Sequence, residues 1–331
     1  MAARALLTLV SIAVGLGVLE IGLRATHGVL GNWSNLVLEA RTVLAQTEGQ
    51  RFQYDERLGF ATRGGLRANG DAPSADGPTI LAVGDSYTYG EEVADDETWP
   101  ALLQRRIGRP VLNGGVSGYG FDQIVLRAEM LAAEHRPAVV VVSFIADDIR
   151  RTEMSRIWGA EKPYFDLAGD RLGLRGVPVA QRPDPGSTLT VWQWLLGRSY
   201  LFDFALRRLG VIQHWFGDHV RAHPEGRGEK IACALTGRLA ELQRQSGARV
   251  LVLAQYDPVV WDDPSFAAEQ RRLTEGLLGC ARRHGLATLD SFDALAATPG
   301  PRALYKTWHM NAAGNRLIAG LVAQALAANG K

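Results

Sequence analysis

Cysteine is scarce in this chain: Cys233 and Cys280 are the only two in 331 residues. That excludes a Cys-rich zinc site and a disulfide-dense scaffold. Each lies in a helix-like stretch, EKIACALTGRLAEL and TEGLLGCARRHG, and reads first as a small buried side chain. A single bridge is the alternative open to a domain outside the cytoplasm. An excess of charge of one sign is also missing, since 36 Lys and Arg stand against 35 Asp and Glu, a net +1. Nucleic-acid binding needs clustered cations that neutralise phosphates, so no nucleic-acid partner is expected. The glycines form neither G-x-x-x-x-G-K-[ST] nor a G-x-G-x-x-G that opens a helix after the first strand, which argues against a nucleotide. No H-E-x-x-H or comparable ligand cluster suggests a metal, and no cofactor is expected. Asp147-Asp148 and Asp262-Asp263 read more simply as caps or turns.

What the chain has is a composition ordinary for a globular protein, 47% hydrophobic and 21% charged. Its length fits one domain of roughly 200 residues plus appendages. The first appendage is apolar. Ala5–Leu19 (ALLTLVSIAVGLGVL) carries no charge, and the run resumes after Glu20 as Ile21-Gly22-Leu23. Counted through Leu23 it is 19 residues, close to the ~20 a helix needs to cross the hydrocarbon. Without a convincing A-x-A site, an uncleaved signal anchor over residues 1–24 is expected rather than a cleaved peptide. Glu20 is then expected at the far interface, in reach of water. Arg4 and the amino terminus oppose Arg24 across the span, so charge specifies orientation weakly. The lipid bilayer is the partner this segment implies.

Residues 25–77 read as a connector, with a short helix at Asn35–Gln46 and a Gly/Ala/Asp-rich linker at Gly64–Gly77. Then short apolar runs alternate with amphipathic segments. The expected strands are Thr79–Val83, Pro110–Leu112, Ala138–Ile145, Arg249–Gln255 and Ala287–Leu289. Their continuous apolar character suits strands covered on both faces. Trp99–Ile107, Gln123–His135, Glu229–Ser246, Ser265–His284 and Asn311–Ala328 show helical spacing, with Asn311 as N-cap of the last. Strands separated by helices make a parallel sheet. Residues 78–150 and 228–331 thus form the expected core. The stretch 151–227, with Pro178, Pro183, Pro185 and the Trp-rich run VWQWLLGRSYLFDFALRRLGVIQHWF, reads as an insertion bordering the active-site face. A packed subdomain is its first reading and a membrane-surface element the second.

Chemistry concentrates at GDSYTYG, Gly84–Gly90, directly after the first strand. In an open parallel sheet the ligand crevice lies beyond the carboxyl ends of the strands. Ser86 in such a turn can present its hydroxyl while backbone N–H groups bind an anion; the plain alternative is an N-cap serine. A hydroxyl nucleophile needs a base. His309, in WHMNAAGN ahead of the last helix, is the histidine expected at the same sheet edge. His135 and His284 end helices, His27 follows the anchor, and His214, His219 and His223 lie in the insertion.

GDSYTYG, then NGGVSGYG (Asn113–Gly120), then SFIADDI (Ser143–Ile149), then WHMNAAGN resemble, in order, the blocks of SGNH (GDSL) hydrolases over about 250 residues. The anchor and FQYDERLGF (Phe52–Phe60) are similar to bacterial envelope-located members. The resemblance implies a three-layer α/β/α, flavodoxin-like fold with Ser86 as nucleophile and His309 as general base. It implies an oxyanion hole from the N–H groups of Ser86 and Gly118. Two positions depart from the pattern. Where the family supplies the hole with an Asn, this chain has Asp147. A carboxylate ~4 Å from an oxyanion costs about 4 kcal/mol at an effective dielectric of 20. Asp147 is therefore expected to be protonated by burial, to pair with Arg150 or Arg151, to orient His309, or simply to satisfy backbone donors at a helix start. Where the family has its triad Asp, three residues before the His, this chain has Lys306. Asp290, Asp293 and Asp147 are the replacement acids, and a Ser–His dyad is the remaining option.

These residues lead to an envelope serine esterase, on the periplasmic side of the bacterial inner membrane. It would act through an acyl-enzyme on an acylated glycan or small ester. Two alternatives use the same fold: an O-acyltransferase, and a non-catalytic glycan-binding module of a polysaccharide assembly.

Overall fold

The computed structural model describes residues 1–70, 76–169, 171–181 and 189–328. Part of the expected linker (71–75), with Pro183 and Pro185 of the insertion, lies outside the described residues. The chain divides into two compact units. The larger takes the described residues of Phe52–Ile157, Glu161–Gln181 and Arg221–Lys331. The smaller takes those of Met1–Arg51, Trp158–Ala160 and Arg182–Val220.

The larger unit is built on five strands: β1 (Ile80–Val83), β2 (Val111–Asn113), β3 (Val139–Phe144), β4 (Arg249–Ala254) and β5 (Ala287–Asp290). All pair in parallel, in the order β5-β4-β3-β1-β2. Leu81 faces both Leu112 and Val140 in register, and Val252 faces Val142 and Thr288. β1 and β3 are buried along their whole length. β-branched side chains stiff at χ1 suit this environment, and their continuous run reflects cover on both faces. Trp99–Ile107 packs with Ala312–Ala328, while Phe121–His135, Arg227–Ser246 and Pro264–Arg283 pack together. Helices cover both faces of the sheet, giving the expected three layers. Each layer follows from a stripe: Ile231, Leu235 and Leu239 recur at four-residue spacing and are fully buried. Asn311 does cap the last helix, accepting from the N–H groups of Ala313 and Gly314 at 2.9 and 3.1 Å.

Three expectations change. Cys233 and Cys280 form a disulfide, not two thiols, joining Arg227–Ser246 to Pro264–Arg283. Both cysteines sit where the two helices pack, with Cα atoms 5.4 Å apart. FQYDERLGF, expected as part of the connector, is a hairpin of Phe52–Asp55 and Gly59–Thr62 within the larger unit. Gly59 turns it at φ +87, and a Cβ there would stand 2.1 Å from the Glu161 carbonyl oxygen. The stretch 151–227 is not one body. Its Tyr164–Ala168/Arg171–Arg175 hairpin belongs to the larger unit, where Lys162 Nζ meets Asp122 Oδ2 at 2.5 Å, both fully buried.

The smaller unit holds helices Ala2–Thr26, Leu36–Arg51, Val191–Leu196, Tyr200–Arg208 and Ile212–Phe216. Ala2–Thr26 is the helix, among the described residues, that is long and apolar enough to cross a membrane. Its apolar side chains are exposed on every side. Glu20 does not reach for water. Its carboxylate accepts from Ser199 Oγ at 2.9 Å and from the N–H groups of Tyr200 and Leu201 at 2.8 Å, and pairs with Arg24 at 2.6 Å. The first N–H groups of Tyr200–Arg208 lack intrahelical acceptors, and a carboxylate is the group that satisfies them best.

Candidate active site

The order β2-β1-β3 places a reversal of connection between β1 and β3, the position where open α/β sheets form their ligand crevice. At the carboxyl end of β1 the chain passes Gly84 and enters a four-residue helix, Ser86–Tyr89, capped by Asp85 Oδ1 on the Tyr87 N–H at 3.0 Å. Gly84 is required: a Cβ would lie 2.2 Å from Thr88 Oγ1 and 2.8 Å from the Ser143 carbonyl oxygen. The loop after β2 is pinned beside β1 by Gly114 N–H donating to Ala82 O (2.7 Å) and Val116 N–H to Gly84 O (3.0 Å). Gly118 in this loop adopts φ +82. The Ser86 N–H, first in its helix, has no intrahelical acceptor.

The loop carrying His309 is a tight antiparallel turn. Tyr305 bridges Met310, and Lys306 N–H donates to the His309 carbonyl oxygen at 2.9 Å. Tyr87 buttresses it, donating its hydroxyl to Trp308 O at 2.9 Å, with its ring 5.2 Å from the imidazole. Burial, then the charges of Asp257 and other neighbours, push the Tyr87 phenol up, so it stays neutral. The result is that Ser86 Oγ and His309 Nε2, 223 residues apart, stand at 3.0 Å. This is hydrogen-bond reach for proton transfer.

His309 Nδ1 is buried and makes no hydrogen bond among the described residues. The carboxylate nearest to it is Glu92, with Oε2 at 3.8 Å. Glu92 also accepts from the N–H groups of Trp308 (3.2 Å) and His309 (3.0 Å). Partial burial would raise its pKa, but those two donors and the nearby imidazole outweigh burial and hold it below the ordinary value. Glu92 has φ +66, a conformation disfavoured for any residue with a Cβ. Lys306 Nζ donates to the Glu92 carbonyl oxygen, so this cation holds the backbone that carries Glu92. The hint in the sequence was the Glu91-Glu92 pair close after Gly90, but periodicity cannot show a reversal onto residue 309.

The expected replacements lie elsewhere. Asp290 accepts from the Tyr256 hydroxyl (3.2 Å) and the Phe292 N–H (2.9 Å), a turn-and-cap role. Asp293 is exposed in the first turn of Phe292–Ala296. Asp147 points its half-exposed carboxylate at Arg150 Nη1, 2.5 Å away. The pair is i,i+3 on one helix, where the two side chains are neighbours. Beneath Ser86, Asp85 and Asp148 are fully buried and share Arg151, whose Nη1 is 2.7 Å from Asp148 and 3.9 Å from Asp85. Burial pushes both carboxyls up, against the pull of the guanidinium. Asp85 Oδ2 lies 3.3 Å from Ser86 Oγ and so competes with His309 for the single hydroxyl proton. Among the described residues no three His, Cys, Asp or Glu gather as a metal site.

The model of the GDSL-like Lipase/Acylhydrolase family matches residues 82–317, more than two thirds of the chain and all four blocks. The chain belongs to that family. This GDSL protein is therefore a hydrolase acting on ester bonds. No curated protein matches it. Solved structures similar to it include LAE5, an alpha/beta hydrolase enzyme from the metagenome of Lake Arreo, Spain, at 15% identity and TM-score 0.47, covering 78% of this chain and 99% of that one. A second is the lipase/acylhydrolase from Enterococcus faecalis, at 16% and 0.42, covering 76% and 95%. A third is a catalytic mutant of Axe2, an acetylxylan esterase from Geobacillus stearothermophilus, at 13% and 0.44, covering 76% and 95%.

Proposed function

We propose that this GDSL hydrolase is a Ser–His esterase of the bacterial envelope that deacylates a glycan or small ester through an acyl-enzyme. The observation that carries the reading is the 3.0 Å contact between Ser86 Oγ and His309 Nε2, with a carboxylate on the Nδ1 side of the same ring. Ser86 Oγ attacks the acyl carbonyl carbon as its proton passes to Nε2. The N–H groups of Ser86 and Gly118 meet the oxyanion. Collapse expels the alcohol, which takes the proton back from His309. Water then repeats the sequence, giving the free acid and restoring the serine. Two oxyanion donors at about 2.7–4 kcal/mol each are the main electrostatic stabilisation. Asp147 takes no part beyond its pair with Arg150. Glu92 is a positioning residue: it fixes the backbone of the His309 loop and stabilises the imidazolium.

Trp308 supports a saccharide substrate, because this large aromatic beside the base is 58% exposed. A flat apolar face next to the reacting group suits the C–H face of a sugar ring. The Cys233–Cys280 disulfide supports an oxidising compartment, and helix Ala2–Thr26 supports single-pass anchoring with the catalytic domain on the periplasmic side. A fluorophosphonate probe tests the nucleophile. Wild type is expected to label and Ser86→Ala not to; equal labelling of both removes Ser86 from the mechanism.

A further inference from the structure

We propose that the short helix Val191–Leu196 lies in the headgroup layer of a lipid bilayer, as a second membrane contact beside the N-terminal span. This rests on the reading of Ala2–Thr26 as an anchor. Within the smaller unit, Val191–Leu196 keeps one side chain inside: Gln193 is buried and donates to the Trp215 carbonyl oxygen. Val191, Trp192, Trp194 and Leu195 point outward, 71%, 66%, 55% and 51% exposed. Five apolar residues of six on so short a helix, with no described residue of the smaller unit over them, make a surface that water solvates poorly.

Its position identifies what covers it. Four residues after Leu196 the next helix begins at Tyr200, and its start is fastened to the end of the span by Glu20 and Arg24. Arg24 also donates to the Arg198 carbonyl oxygen, inside the connecting turn. From Ala5 to Leu23 the apolar run is 19 residues, which at about 1.5 Å per residue uses up the hydrocarbon thickness. The Glu20–Arg24 joint thus marks the exit from the hydrocarbon, and the Trp-bearing helix ends two residues before Arg198, whose carbonyl oxygen Arg24 holds. Trp is the side chain that prefers this depth, with an apolar body and a polar N–H. The Arg198 guanidinium lies 5.2 Å over the Trp194 ring, where it can also meet lipid phosphate. A soluble partner needs no such coincidence of depth and composition.

Both native cysteines are in the disulfide, so a single added cysteine takes a spin label alone. The full chain is placed in phosphatidylcholine/phosphatidylglycerol proteoliposomes with Trp192→Cys, Leu195→Cys, Ile12→Cys or the exposed surface control Ala268→Cys. Collisional relaxation by oxygen, which partitions into lipid, is compared with that by a water-soluble nickel chelate. The expected oxygen-to-nickel ratio at 192 and 195 is several-fold above that at 268, with 12 higher still. A high ratio at 12 with 192 and 195 matching 268 overturns the proposal and leaves the anchor intact. A low ratio at 12 overturns the anchor and the proposal together. Labels at 192 and 195 that are immobilised and closed to both reagents indicate a protein partner and also overturn it.

Discussion

Glu92→Gln removes one negative charge 3.8 Å from His309 Nδ1 while leaving an oxygen to accept the Trp308 and His309 N–H groups. In the ground state the imidazole is neutral and the charge does little. In the transition state an imidazolium forms, and two unit charges at this separation attract by about 4 kcal/mol at an effective dielectric of 20. Both groups are about a quarter exposed, so solvent screening brings this to about 2 kcal/mol. The expected loss in kcat/KM is therefore about 30-fold, carried by kcat, with KM for p-nitrophenyl acetate unchanged. Glu92→Ala also frees the two N–H groups and is expected to lose more and to melt earlier. The pH sign follows from a pKa held below the ordinary carboxylate value. The stability that Glu92 contributes is fully present above its unfolded pKa and is lost as pH falls through its lower folded pKa, so the charge is in place at neutral pH. A Glu92→Gln enzyme within threefold of wild type, or one whose loss tracks a lowered melting temperature, refutes the assignment.

Trp308→Ala should raise KM for an acetylated oligosaccharide about tenfold, equivalent to about 1.4 kcal/mol of stacking. KM for p-nitrophenyl acetate should stay put, and equal effects on both substrates would contradict the stacking role. Reducing Cys233–Cys280, which closes a loop of 47 residues, should cost about 4 kcal/mol by urea titration. Free thiols in the unreduced protein would show that no bridge forms. Lys162→Met strands the buried Asp122 carboxylate and should cost about 3–5 kcal/mol. A second change, Asp122→Leu, should recover much of that; a single variant within 1 kcal/mol of wild type would mean that water reaches the pair.

How much of this was legible in the sequence varies with how local the cause is. VVVVSF between two helical stripes is a doubly covered strand on its own evidence, and the five sheet strands and the five expected helices fell within a few residues of their expected places, whereas the short helices Ser86–Tyr89, Ala146–Arg151 and Phe292–Ala296 were not marked by any stripe. The Ser86–His309 contact was legible because both residues sit in recognisable blocks expected at one sheet edge. Glu92 was not, because its role depends on a left-handed residue folding the chain back to a loop 217 positions away. The disulfide was half legible: each cysteine sat visibly in a helix, but only the packing of those helices makes the pair. The same holds for the insertion. Nothing in VWQWLLGRSYLFDF reveals that the N–H groups of Tyr200 and Leu201 bind a carboxylate at position 20.

The measurement closest to the centre of the account is the mass of the chain, acid-quenched during turnover of an activated acetyl ester. One added acetyl group is expected, on the peptide containing Ser86, absent in Ser86→Ala and barely accumulating in His309→Ala. Steady hydrolysis with no acetylated Ser86, or acetylation at another residue that tracks turnover, would contradict it.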